Sequence, residues 1–102
     1  MNDDSKPENI PPGKQPTLSV VIPNYNHAQF LLTNLRALFA QSVLPDEVIV
    51  IDDASTDNSL EVLEEFARDR PLMRIIRNPE NKGTEYGCNL GLRESKSDYV
   101  FW

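Results

Sequence analysis

The chain has a single cysteine, Cys88, in 102 residues. That excludes an internal disulfide framework and any zinc site built from several thiolates. A lone thiol of this kind is expected to pack as a small apolar side chain in a reducing compartment. Basic residues are also few, ten against sixteen acidic ones, for a formal net charge of −6. No basic stripe is available to neutralise a phosphate backbone, so a nucleic-acid partner is excluded. No apolar run approaches the ~20 residues that cross a bilayer. The N-terminus lacks the apolar stretch of a secretory signal, and the expected location is cytoplasmic. Peripheral contact with the inner membrane face through further parts of a longer protein stays open.

What is present begins with "MNDDSKPENIPPGKQP", residues 1–16, which holds four of the eight prolines. It reads as a flexible lead-in, and residues 17–102 read as one ordered unit. "LSVVIP" is a short β-branched run closed by a proline and predicts a buried strand. Asn26 with Gln29 three residues on forms a potential capping box for a helix. Ala28, Leu31, Leu32, Leu35, Leu38 and Phe39 then line one helical face. "EVIVID" is a second buried strand, and Thr56, Asp57 and Asn58 are candidate caps for the next helix. Leu60, Leu63, Phe66 and Ala67 give that helix its inner face until Arg70 and Pro71. "LMRIIR" predicts a third, more polar strand near a sheet edge. "NPENKG" turns into a third helix over about 84–95, and "SDYVFW" opens a fourth strand.

The order β-α-β-α-β-α-β implies a parallel sheet with right-handed crossovers and helices on its faces. The sequence stops at Trp102 inside an apparent strand, which predicts a fragment of a longer protein. The strand "DYVFW" is then expected to form an unprotected apolar edge that recruits a second copy.

The stretch "VIVIDDASTDNS", Val48 to Ser59, carries the chemistry. Two adjacent carboxylates at the end of a buried strand are costly unless something satisfies them. In an open parallel sheet, ligands bind outside the carboxyl ends of the strands. Asp52 and Asp53 lie at such an end, and Pro23, Asn24, Tyr25 and Asn26 lie at the end of the first strand. Asp52 either faces a ligand or merely caps the next helix or pairs with a lysine; Asp53, one step further out, is expected to face a ligand. A dinucleotide site would need a glycine-rich turn after the first strand, and "PNYNHAQF" has no glycine. A phosphoreceiver domain would need an aspartate after the third strand, where this chain has "RNPENKG". A tyrosine and a carboxylate flanking one crevice remain. An aromatic face stacks on a base, and a carboxylate only accepts hydrogen bonds. That acceptor suits the ring N–H of uracil, thymine or guanine and not the ring nitrogen of cytosine or adenine.

The blocks "LSVVIPNYNHAQFL", "QSVLPDEVIVIDDASTDNS" and "NPENKGTEYGCNLGL" resemble the family 2 glycosyltransferases of the GT-A fold. The resemblance runs from Leu18 to Trp102. It implies a Rossmann-like half-domain truncated after the fourth strand, with a mainly parallel sheet and helices on both faces. It also implies that Pro23 and Tyr25 line a nucleotide pocket, with Tyr25 on the base. Asp53 would bind base or ribose with Asp52 in support, and Asn81, Lys82 and Gly83 would lie beside the nucleotide. The parent enzyme would move a sugar from a nucleotide-diphosphate sugar, expected to be a UDP-sugar, to a glycan or lipid-linked acceptor. Mg²⁺ or Mn²⁺ would assist in the parent. Neither metal ligands nor a catalytic base are expected within this chain, which would itself be inactive. The competing expectation is a non-catalytic nucleotide-sugar-binding or interaction module on the same fold.

Three smaller features complete the reading. Gly83, Gly87 and Gly91 recur every four residues, and glycine in a helix costs about 1 kcal/mol against alanine. Close packing of that helix on the sheet is the expected reason, with Gly83 alone placed to leave room for a nucleotide. His27, the only histidine, is expected to face solvent in a first turn, and "EVLEEF" to form a solvated helix face.

Overall fold

A computed structural model describes residues 16–101, so the N-terminal segment and Trp102 lie outside the described residues. The elements are β1 (Leu18–Asn24), α1 (Ala28–Phe39), β2 (Glu47–Asp52), α2 (Ser59–Ala67), β3 (Met73–Arg77), α3 (Thr84–Glu94) and β4 (Tyr99–Phe101). Every strand pair is parallel, in the order β3-β2-β1-β4. The fold is the α/β layout expected, with β3 at one edge and β4 beside β1 at the other. The first strand runs through Pro23 to Asn24 rather than stopping at the proline.

Side chains alternate along a strand, and β2, buried on both sides, uses both sets. Val48 and Val50 face one layer, where Leu31 and Leu35 of α1 meet Leu63 and Phe66 of α2 and Met73 of β3. Ile49 and Ile51 face the other layer with Val21, against Leu90 of α3. Helices α1 and α2 therefore cover one face and α3 the other. Across the first layer the Phe39 and Phe66 rings meet edge to face at 5.4 Å, and the Arg70 guanidinium lies 3.8 Å from the Phe66 centroid. Cys88 is half-buried with a free thiol.

Two of the three glycines face the sheet, but close packing requires the missing side chain at only one, Gly91. Gly87 and Gly91 are the buried residues of α3. A Cβ on Gly91 would sit 2.3 Å from Val21 Cγ1, whereas one on Gly87 would meet Ile51 at an ordinary 3.6 Å. Gly83 is not on that face. It precedes α3 as its N-cap residue, with φ of 88°, a conformation that glycine adopts without strain.

Strand β4 is held at its start. Asp98 Oδ2 accepts from Thr17 N (2.9 Å) and Oγ1 (3.0 Å), and Thr17 Oγ1 accepts from Asp98 N (2.9 Å). Beside it, Leu18, Val20, Leu38, Leu44 and Phe101 line an open hollow of about 420 Å³, with Phe101 66% exposed.

Candidate functional site

The alternation that divides the core also divides the two carboxylates. Asp52 follows Val48 and Val50 toward α1 and α2, while Asp53 follows Ile49 and Ile51 toward α3. Each carboxylate meets donors on its own side only.

Asp52 is completely buried. Its Oδ1 accepts from Asn24 Nδ2 (3.1 Å) and Ser55 Oγ (2.6 Å), and its Oδ2 accepts from Ser55 N (3.3 Å). These bonds close the turn after β2, where Ala54 has φ of 59°. Four hydrogen-bonding groups thus meet in a low-dielectric interior, where leaving any one unpaired is expensive. Asp52 thus braces the loop after β2 without capping α2 or pairing with a lysine, and it is not among the residues that line the cleft described below.

The expected capping box is replaced by a crossed arrangement. Asn26 has φ of 53° and sits outside α1, whose N-cap residue is His27 with no side-chain cap bond. The Asn26 side chain serves the other loop, Oδ1 accepting from Thr56 N (2.8 Å) and Asp57 N (3.2 Å). Asp57 answers in both directions. Its Oδ2 accepts from Ala28 N, the first residue of α1 (3.1 Å), and its Oδ1 from Ser59 N, the first of α2 (2.9 Å). Asn58, the N-cap residue of α2, makes no side-chain cap bond. His27 is exposed, as expected, and its carbonyl accepts from Phe30 N and Leu31 N.

Asp53 is 6% exposed and anchors the loop between β3 and α3. Oδ1 accepts from Asn78 Nδ2 (3.0 Å) and Lys82 N (2.8 Å); Oδ2 accepts from Gly83 N (2.8 Å). Burial pushes its carboxyl up, but the Asn78 amide, the two backbone N–H groups and the Lys82 charge outweigh it and hold Asp53 below the usual aspartate range. An ionised carboxylate offers about four lone-pair positions, two on each oxygen. Both on Oδ1 are filled. One on Oδ2 is left.

Asp53 borders a cleft of about 80 Å³ lined also by Pro23, Tyr25, His27, Gly83 and Thr84 among others. Tyr25 is 43% exposed there. Small-molecule sites that enclose their ligand run to roughly 300–1,000 Å³, so the described residues form one wall with room for a ring edge. A hollow of about 280 Å³ along α1 shares Pro23, Asn24 and His27 with the cleft but is otherwise lined by Phe30, Leu31 and similar side chains, without a carboxylate. Of the two, only the smaller cleft is bordered by a carboxylate.

Pro23, Tyr25, Asp53 and Gly83 therefore come together at one cleft, while Asp52 lies on the far side of the sheet end. Asn81 is exposed, and Lys82 turns outward, its ammonium 2.6 Å from Glu80 and 5.9 Å from the Tyr86 ring centroid. Lys82 meets Asp53 through its backbone N–H, and its side chain does not line the cleft. Sequence reasoning missed Asn24, Ser55 and Asn78 as partners of the two carboxylates.

The donor set does not fit a divalent cation. Among the described residues no group of three His, Cys, Asp or Glu side chains converges. The two carboxylates at the sheet end diverge to opposite faces and are occupied by the chain's own N–H and O–H donors. No helix among them is long and apolar enough to cross a membrane.

Residues 19–102 match the model of glycosyl transferase family 2. The chain is 40% identical over 85 residues to the uncharacterized glycosyltransferase YfnE of Bacillus subtilis, covering 82% of this chain and 21% of that protein. It is 31% identical over 85 residues to a chondroitin synthase of Escherichia coli, covering 83% of this chain and 12% of that protein. Among solved structures, the mannosyltransferase PcManGT from Pyrobaculum calidifontis in complex with GDP-Man and Mn²⁺ superposes with a TM-score of 0.76 at 28% identity. That match covers 94% of this chain and 30% of the mannosyltransferase. The chain thus spans a third or less of these proteins.

Proposed function

The chain belongs to glycosyl transferase family 2, and from that premise we propose that it forms the nucleotide-binding part of an enzyme that transfers a sugar from a nucleotide-diphosphate sugar to a growing glycan or lipid-linked saccharide. The observation that carries the reading is that Asp53, with one acceptor position left on Oδ2, and the exposed Tyr25 line the same cleft. A ring N–H of uracil or guanine fits one acceptor; the tyrosine face stacks on the ring. We place uracil first, since its edge offers one such N–H flanked by carbonyls, which matches one open position. The mannosyltransferase neighbour holds a guanine nucleotide, whose ring edge carries the same kind of donor. The glycan acceptor takes support from the chondroitin synthase relative. Asn81 and Lys82 act through the loop backbone that ends at Gly83. Metal ligands and the catalytic base would be supplied from outside the described residues. The 102-residue chain alone would then release no nucleoside diphosphate from a nucleotide-sugar panel with Mn²⁺ and simple acceptors.

The test is an NMR shift titration with uridine and cytidine diphosphates. A charge-assisted hydrogen bond contributes roughly 1.5–3 kcal/mol, or about ten- to a hundredfold in affinity. Asp53→Asn presents a donor as well as an acceptor, so uridine binding weakens and discrimination against cytidine shrinks. Tyr25→Ala weakens every nucleotide by a similar factor, because stacking is largely indifferent to the ring-edge pattern. An unchanged uridine-to-cytidine ratio in Asp53→Asn, with binding still measurable, would show that Asp53 does not read the base.

The open flank beside β4 supports self-association through that edge. The expected outcome is a mass that rises with concentration in analytical ultracentrifugation; a constant monomer mass removes the idea.

A further inference from the structure

Asp53 can discriminate between bases only if something fixes which of its acceptor positions stays open. Three donors do so, and two are backbone N–H groups that only a proline would remove. The third is the Asn78 side chain. We infer that Asn78 is the positioning residue of the site: its buried amide fills the second acceptor position of Asp53 Oδ1, so that the cleft meets one acceptor, on Oδ2, and admits one ring N–H. This rests on the nucleotide reading above and adds to it the residue that sets its selectivity.

The placement of Asn78 follows from the chain around it. Its backbone N–H donates to Asp52 O (2.8 Å), extending the β2–β3 ladder one residue beyond the Asp52–Arg77 pair. Pro79 comes next, and the residue before a proline is confined to extended backbone. With the strand alternation continued, Asn78 shares the α3 side with Ile76, the side to which Asp53 points. Asn78 is 5% exposed, so its amide has little recourse to water. A carboxylate only accepts, which obliges the amide to present Nδ2 to it. An aspartate there would set a second negative charge against Asp53. A leucine would leave an open acceptor on Oδ1.

That second acceptor matters for selectivity. Cytosine and adenine lack a ring N–H at the relevant position, but each carries an exocyclic amino group that donates. A carboxylate with two open positions can turn to take that group; one already held by Asn78, Lys82 and Gly83 cannot turn without breaking a bond.

The test uses the full 102-residue chain, ¹³C-labelled, with Asn78→Ala and Asn78→Ser. The Asp53 carboxyl carbon is followed through an acid titration without nucleotide, and uridine and cytidine diphosphates are then titrated at neutral pH. The expected result for Asn78→Ala is an upward move of the Asp53 midpoint and a loss of roughly tenfold in the uridine-to-cytidine ratio, the equivalent of one hydrogen bond. Asn78→Ser, which restores a donor, recovers part of both. A folded Asn78→Ala with the midpoint and the ratio unchanged overturns the inference. If Asn78→Ala fails to give a dispersed amide spectrum, the same comparison between Asn78→Ser and wild type decides it. A wild-type chain that binds the two diphosphates equally overturns base recognition by Asp53 and the selectivity role with it, while the midpoint still decides whether Asn78 holds Asp53. If the ratio collapses in Asp53→Asn but not in Asn78→Ala, the nucleotide reading survives and the inference fails.

Discussion

Asp52 and Asp53 are neighbours in sequence, equal in chemistry and nearly equal in burial, yet they belong to different parts of the molecule. On the α1/α2 side, Asp52 meets Asn24 and Ser55, and beyond it Asn26 and Asp57 tie the two loops to each other. That side is closed to ligand, since Asp52 is fully buried and does not line the cleft. On the α3 side, Asp53 meets Asn78 and the N–H groups of Lys82 and Gly83, and one acceptor position remains at a cleft with an exposed tyrosine. The difference separates a carboxylate that braces a loop from one with an acceptor position left beside a cleft. Both are satisfied, but only one retains capacity where a ligand can reach.

The comparison breaks most visibly at Asp52. Replacing it with alanine strands Asn24 and Ser55 N in a dry interior and is expected to cost about 3 kcal/mol of stability. Urea unfolding checks the loss, and the uridine-to-cytidine ratio of the folded fraction should stay at its wild-type value. A shift in that ratio would place Asp52 on the recognising side after all.

The next largest effect tests how closely α3 approaches the sheet. Gly91→Ala forces its Cβ into Val21 and is expected to cost about 2 kcal/mol through overpacking. Gly87→Ala, whose Cβ finds ordinary contact distances, should be neutral or gain up to about 1 kcal/mol from helix propensity. Equal melting shifts for the two would contradict the close approach at Gly91.

A smaller effect measures the tie between the loops. Asn26→Ala and Asp57→Ala should each cost about 1 kcal/mol, as lost caps do. A double-mutant cycle should return coupling of roughly 0.5 kcal/mol or more, because the two groups share the Thr56–Ser59 turn. Strict additivity would mean that the two loops are braced independently.

The smallest effect is the acid response of the recognising side. The Asp53 pKa is depressed on folding, so its contribution is complete above about 3.8, the ordinary aspartate value, and is lost as pH falls through the lower folded value. The stability gap between wild type and Asp53→Asn should therefore be constant near neutrality and close as the solution is acidified below that value. A gap that widened in acid would reverse the sign of the shift.

Much of the fold was legible because it rests on local patterns. Glu47–Asp52 reads as a strand from four β-branched residues in a row, and the α1 face reads from its 3.6-residue period. The start of α1 was misread for the opposite reason. Asn26 and Gln29 have the spacing of a local cap, but the group that Asn26 serves lies thirty residues away, and no local rule sees that distance. Asn78 went unnoticed too, although a signal existed. Strand alternation carried on past Ile76 puts Asn78 on the side of Ile51 and Asp53. Gly83 was grouped with Gly87 and Gly91 by spacing, whereas its positive φ belongs to the turn.

The crossed tie has a consequence for how the chain is made. The first backbone N–H of α1 is received by Asp57, twenty-nine residues downstream. A ribosome releases the chain from its N-terminus, so β1 and α1 emerge complete in sequence while the partner for Ala28 N is still unsynthesised. The first α-helix can wind before then, but its opening turn stays exposed to water until the second loop arrives. Hydrogen exchange at the Ala28 amide should therefore stay fast in nascent chains whose exposed part ends before Asp57 and slow once Asp57 has cleared the exit tunnel.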